Sequence, residues 1–184
     1  METPKVKDFM VPLDQYVCLS EEATICDAFV ALEKALNRSE AQPYPHRAVI
    51  VCDKEGRVMG KLSHVALLKS LEPGYAVLGD VKKQVGLGQS AEFLKSTMDR
   101  YDLWKGSLDE LCRKAVNVKL GDIVAYPAAS EVIDQNASLS NGMHQLIMGR
   151  YQSLLVTSKG DIVGILKLTD VFLEACRRIK AHRA

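Results

Sequence analysis

The sequence predicts an α/β (α+β) fold assembled from one small unit used twice. Residues 6–32 align without a gap on residues 120–146, an offset of 114 that superposes Asp8 on Asp122, Ala23 on Ala137 and Leu32 on Leu146. A second block aligns at an offset of 104, with Gly56, Gly60 and Leu62 on Gly160, Gly164 and Leu166. The first copy therefore carries ten extra residues, and Asn37–His46 is the segment that accommodates them. A repeat of about 60 residues present only twice is not a solenoid unit. It predicts a pseudo-two-fold pair that buries a shared face and has equivalent clefts where the copies meet.

Each copy has the same predicted order, β-α-β-β-α. Tyr16–Leu19 is short and β-prone. Thr24 and Asp27 then have the spacing of a capping box. Ile25, Ala28, Phe29, Leu32, Ala35 and Leu36 follow at helical spacing and predict one apolar face. The second copy repeats this with Ser138 and Asn141 at the cap and Leu139, Met143, Leu146 and Ile147 on the face. Ala48–Cys52 and Leu154–Val156 are apolar on both faces, as strands covered on both sides require. The turns at Asp53–Gly56 and Ser158–Asp161 each contain a glycine suited to positive φ. Second strands are predicted at Arg57–Ser63 and Ile162–Lys167, and closing helices at Val65–Leu71 and Asp170–Lys180. Between the copies, Pro73–Lys119 carries two helix-like stretches, from Ser90 to about Tyr101 and from the cap at Ser107 to about Ala115. Phe93, Leu94, Met98, Tyr101, Leu108, Leu111 and Cys112 give them apolar faces that must pack on the copies or on a second subunit.

Composition narrows the function classes. The chain is 47% apolar, enough for a core, and its net charge of +1 sets up no field for general nucleic-acid or membrane binding. No apolar run reaches the length of a membrane span, and the charged start Glu2–Lys7 is unlike a signal peptide. Cys18, Cys26, Cys52, Cys112 and Cys176 form no CxxC and stand in apolar sequence, which predicts reduced core thiols in a cytoplasmic protein. His46, His64, His144 and His182 lack metal-ligand spacing, so no metal site is expected. No nucleophile motif, phosphate loop or paired acid motif is present, and Val85–Gln89 reads as a plain loop. The basic tail Arg177–Arg183 suits a helix C-terminus.

Several stretches together resemble a known family. Asp8–Pro12 and Asp122–Val124 open the copies, Ser20–Thr24 and Asp134–Ser138 precede the first helices, and Lys159–Phe172 is the most recognisable segment. In this order, twice over, they resemble a tandem pair of CBS domains, or Bateman module. The resemblance implies a first CBS repeat over residues 5–72, a helical connector over 73–117 and a second repeat over 118–180.

CBS pairs hold adenine nucleotides through a Gly-x-x-(Thr/Ser)-x-x-Asp pattern between the last strand and last helix. Glycine admits close backbone approach, hydroxyl and carboxylate bond the sugar, and the helix N-terminus faces phosphate. Each copy here keeps half of it. Copy one has Gly60 and Ser63 but Ala66 in place of the carboxylate. Copy two has Gly164 and Asp170 but Lys167 in place of the hydroxyl. Copy two is the better candidate: Asp170 accepts from two sugar hydroxyls at once, while Lys167 and Arg150 suit a phosphate. In copy one, His46, Arg47 and Lys61 are the phosphate candidates. Against this, Ser63 and Asp170 also suit helix caps, and Lys167 suits an ion pair with Asp170 that fills an empty site.

The resemblance thus implies a non-enzymatic regulatory protein. It would bind AMP, ADP or ATP as ligand, with no catalytic cofactor. The copies and connector occupy the whole chain, so its output is expected through a partner effector protein or through its own homodimer. The alternative is a CBS-fold dimeric scaffold whose nucleotide sites are vestigial.

Overall fold

The structure, a computed structural model, describes residues 3–37, 48–72, 74–75 and 91–183. The predicted insertion at Asn37–His46 lies, after Asn37, outside the described residues, as do Arg47 and the Val85–Gln89 loop.

Two small mixed sheets carry the chain. The first holds β2 (Cys18–Ser20), β3 (Ala48–Cys52) and β4 (Val58–Ser63), with β2 parallel and β4 antiparallel to β3. The second holds β1 (Val11–Pro12), β7 (Asp161–Lys167), β6 (Ser153–Ser158) and β5 (Val132–Asp134), in that order. Helices α1 (Ile25–Asn37) and α2 (His64–Ser70) belong to copy one, and α6 (Leu139–Gly149) and α7 (Leu168–Ala181) to copy two. Between them run α3 (Ala91–Arg100), α4 (Leu108–Ala115) and the short α5 (Leu120–Ile123).

Local chemistry sets the boundaries. The Asp27 N–H donates to the Thr24 hydroxyl at 3.3 Å and the Thr24 N–H to the Asp27 carboxylate at 2.8 Å, a reciprocal cap that starts α1. Ser138 and Ser107 accept from the amides of Asn141 and Glu110 and start α6 and α4. The β3–β4 turn is held by the Asp53 carboxylate, which accepts from the amides of Glu55 and Arg57, while Gly56 takes φ 81°.

The strands divide their side chains between two layers. Val49 and Val51 pack with Ile25, Ala28, Leu32, Leu62 and Leu67 beneath the helices of copy one. Leu154 and Val156 do the same with Leu139, Leu146, Leu166 and Val171 in copy two. The intervening residues point the other way: Ile50, Leu155 and Ile165 meet Tyr16 in a third cluster shared by both copies. This is the alternation of a strand covered on both faces, and it makes the inter-copy face part of the core.

The copies also exchange their leading segments. Val6 N–H donates to the Ala137 carbonyl at 3.0 Å and Leu120 N–H to the Ala23 carbonyl at 2.8 Å. Lys7 donates to Gln135 and Gly121 to Glu21; Leu139 donates to Pro4 and Ile25 to Val118. Every pair of bonds repeats at the offset of 114. Val6 is thus buried in the core of copy two, and Leu120 in that of copy one. β1 goes further and joins the sheet of copy two, Val11 opposite Ile165 and Pro12 opposite Gly164.

Several sequence expectations are corrected. Leu36 and Ile147, placed on the apolar faces of their helices, are 41% and 65% exposed, because each helix turns only a narrow stripe to its sheet. The five cysteines are free, but they are not all core residues: the half-buried Cys52 and Cys112 pack against core clusters, Cys176 is half-buried, and Cys18 and Cys26 are exposed. In the connector, Ala115 and the partly buried Cys112 pack against the core of copy one and Leu111 is buried, while Leu108 and Met98 are exposed. α4 therefore packs within its own chain. Further along the connector, the buried Glu72 carboxylate accepts from the amides of Gly74 at 3.1 Å and Trp104 at 2.8 Å, and Trp104 Nε1–H donates to the Tyr75 hydroxyl.

Candidate functional site

The two half-patterns stand at equivalent places, each where a sheet's hairpin strand runs into its last helix. Their chemistry differs. In copy one, Ser63 caps α2: its hydroxyl accepts from the Ala66 amide at 3.2 Å. Ala66 offers no carboxylate there. Lys61, a phosphate candidate on sequence grounds, has its ammonium donating to the Ser153 carbonyl of copy two. Burial pushes its pKa down, and the charge of Glu131 acts in the opposite direction.

In copy two, Lys167 stands at the cap position of α7 and no side chain caps that helix. Its ammonium lies 3.3 Å from the Asp170 carboxylate in the first turn, with side chains 14% and 23% exposed. A lysine cannot cap, since it has only donors; Asp170 on the next turn neutralises it instead. Tyr16 of copy one lies in the field of Asp170. Burial first, and that carboxylate second, raise the phenol pKa well above the usual tyrosine range. The phenol is thereby held neutral at the inter-copy face. Nothing in the sequence marked Tyr16 for this place: it read as the start of a strand, and only the fold brings it to the other copy.

The glycines have a second reason to be glycines. A Cβ on Gly164 would lie 2.7 Å from the Val11 carbonyl oxygen, and one on Gly60 would lie 2.6 Å from that of Ala125. The exchanged leading segments pass over both. Arg150 ends α6 in the left-handed conformation, φ 52°, with its side chain exposed and no ion pair among the described residues. Arg47 lies outside the described residues. Among the described residues, no group of three His, Cys, Asp or Glu side chains is arranged to hold a metal ion.

Sequence comparison finds no matching family model and no matching curated protein. Solved structures match over nearly the whole chain. CBSX2, solved in complex with AMP, is 18% identical with a TM-score of 0.53, over 96% of this chain and 98% of that one. The CBS-domain protein ATU1752 from Agrobacterium tumefaciens is 18% identical with a TM-score of 0.52, over 93% and 92%. The CBS domain of a bacterial CNNM/CorC-family Mg2+ transporter, in complex with ATP, is 16% identical with a TM-score of 0.50, over 93% and 86%. The fold is that of a tandem CBS pair.

Within this CBS pair the clefts are unequal. Copy one spends its hydroxyl on a helix cap and its lysine on a cross-copy tether. Copy two brings a carboxylate, an ammonium and a phenol together at the head of an uncapped 14-residue helix. Chemically, a carboxylate of that kind accepts from hydroxyls and an ammonium donates to an anion.

Proposed function

We propose that this chain is a regulatory CBS pair that holds an adenine nucleotide (AMP, ADP or ATP) at Gly164–Asp170 and passes its binding state to a partner protein. The observation that carries this reading is the half-buried Asp170 carboxylate in the first turn of α7, beside Lys167 and facing Tyr16 of the other copy. A carboxylate there suits a ribose diol, and an ammonium at a helix N-terminus suits a phosphate. That two of the structural neighbours were solved with AMP and with ATP supports the ligand class. In this reading the protein is non-catalytic and cytoplasmic, and regulation arises from unequal affinity of the nucleotide for two arrangements of the assembly. Among the described residues no helix is long and apolar enough to cross a membrane.

A homodimer is part of the same proposal. Ile147 and Met148 on α6 and Phe172 and Ile179 on α7 are large, apolar and exposed, as are Val65 and Leu68 on α2. Leu68 and Phe172 occupy equivalent positions of the two copies. Large exposed apolar side chains on these helices are what a partner surface would cover. Analytical ultracentrifugation at micromolar concentration tests this directly, and a monomer would remove the dimer from the reading.

The nucleotide is tested by thermal shift and calorimetry of the pure chain with AMP, ADP and ATP. A ligand that binds only the folded state raises the melting temperature by mass action. Asp170→Ala removes a charge-assisted acceptor and should weaken binding roughly ten- to a hundredfold. A specific observation favours the scaffold reading as an alternative: Lys167 and Asp170 already satisfy each other, and Ser63 is already used as a cap. No shift with any adenine nucleotide at millimolar concentration, from a folded protein, would select that alternative.

A further inference from the structure

We infer that Cys18 and Cys52 of copy one are an oxidation site, a thiol pair that closes to a reversible disulfide when the protein meets a hydroperoxide. The inference is independent of the nucleotide reading. Cys18 opens β2 and Cys52 closes β3, and the two strands are hydrogen-bonded neighbours. In their parallel register Cys18 stands opposite Ile50 and Ser20 opposite Cys52. Residues two apart on a strand share a face, so Cys18, Ile50 and Cys52 all point to one side. That side is the inter-copy face: Ile50 belongs to its apolar cluster and Cys52 packs against it. Cys18 is exposed, its thiol donating to the Tyr16 carbonyl at 3.9 Å, and Cys52 is half-buried. The Cys52 thiol is in hydrogen-bonding contact with that of Cys18. Burial first, and Cys18 second, hold it above the usual thiol range. The fold does not require sulfur here. In copy two, Val132 opposite Leu155 and Asp134 opposite Thr157 repeat the register, so Val132 and Thr157 stand where copy one has its two thiols.

The chemistry balances with one peroxide. The accessible Cys18 sulfur attacks a peroxide oxygen: an S–O bond forms, the O–O bond breaks, and Cys18 becomes a sulfenic acid with release of one water. The Cys52 sulfur then attacks the Cys18 sulfur. The S–S bond forms, the S–O bond breaks, and the hydroxide leaves as a second water with the Cys52 proton. Two thiols are oxidised by two electrons, and the peroxide is reduced to two waters. The sheet sets the character of the bond. A rise of about 3.3 Å per residue and a strand spacing of about 4.8 Å put these diagonal Cα atoms about 8 Å apart, whereas a relaxed disulfide spans about 5.5–6 Å. The bridge therefore closes only as β2 shifts along β3. β2 is a three-residue strand at the edge of its sheet, and the β3–β4 register is broken between Val51 and Cys52, so both ends can yield. The strain that remains makes the bond easily reduced, which is what reversibility requires.

The test is treatment of the full folded chain with hydrogen peroxide, followed by a count of free thiols in denaturant and mass-spectrometric mapping of linked peptides. Wild type should lose two of its five thiols, with Cys18 joined to Cys52, and millimolar reduced glutathione should restore them. Cys26→Ser should form the same bridge and Cys18→Ser none. Both positions are exposed, and if a variant still fails to fold, the peptide map of wild type carries the test alone. Oxidation of the folded wild type without a Cys18–Cys52 link would overturn the inference. So would a link between other cysteines, a Cys18–Cys52 link that glutathione leaves intact, or one that forms as fast in the urea-unfolded chain.

Discussion

Placing a methyl group on Gly164 tests the exchange of leading segments, because the structure makes that position tight from one direction only. The new Cβ would fall 2.7 Å from the Val11 carbonyl oxygen and 3.0 Å from the Met10 sulfur, where ordinary contact begins near 3.4 Å. The sulfur ends a flexible side chain and can move. The carbonyl cannot move alone, because Val11 and Pro12 are registered against Ile165 and Gly164 in the β1–β7 ladder. The strand must shift by several tenths of an ångström or leave the sheet. Overpacking of this kind costs about 1–3 kcal/mol. In a chain of 184 residues, 2 kcal/mol corresponds to a fall in Tm of about 4–8 °C. Gly60→Ala should behave alike, with its Cβ 2.6 Å from the Ala125 carbonyl oxygen. The assay is calorimetric melting of ligand-free protein. If glycine stood at these positions solely to admit a ligand, both variants would melt within about 1 °C of wild type and lose only binding. That result would refute the argument that the leading segments are packed across the copies.

Two further predictions concern the connector and acid stability. Glu72→Ala leaves the Trp104 and Gly74 amides without their acceptor, at a cost of about 1–3 kcal/mol. The chain has one tryptophan, so the fluorescence of Trp104 should report release of the connector, and an unchanged emission spectrum would count against that anchor. The Glu174 carboxyl is held down to about 2 by hydrogen bonds from Arg177 and Arg178 and by their charge. A carboxyl whose pKa is lower folded than unfolded adds stability above its ordinary value of 4.5 and loses it as pH falls toward about 2. The difference in Tm between wild type and Glu174→Gln should therefore close over that window, and a constant difference would show that Glu174 does not contribute through its charge.

How much of this was legible depended on whether the signal lay in one element or between elements. The capping pairs Thr24–Asp27 and Ser138–Asn141 and the apolar runs of β3 and β6 are local, and they formed where their spacing placed them. The internal repeat predicted the pseudo-symmetry because both copies need the same apolar positions filled. The exchange of leading segments left no such mark: Val6 and Leu120 are equivalent and apolar, and would be so whichever copy they packed on. Ile147 was misplaced because an apolar residue beside a helix's core stripe has the same pattern whether it faces a sheet or a partner. Tyr16 became visible as a neighbour of Asp170 only when the two sheets came together, since 154 residues separate them in sequence. The Lys167–Asp170 pair was legible as an i,i+3 contact, but not that it would be partly buried.

The repeat is symmetric in its backbone and asymmetric in its chemistry, and that asymmetry bears on mechanism. Lys61 and Ile165 stand at equivalent positions on the inter-copy face. Ile165 packs with Tyr16, Ile50 and Leu155 in the shared cluster, whereas Lys61 reaches across to a backbone carbonyl of β6. A partly buried ammonium that donates to a carbonyl of the other copy adds a polar contact across the inter-copy face, since parting the two would leave both groups to be solvated anew. The contact between the copies is thus polar where Lys61 reaches the Ser153 carbonyl and apolar where Ile165 packs on Ile50 and Leu155. Only a close packing of the two sheets satisfies both, and the apolar side includes Tyr16, whose phenol lies in the field of Asp170.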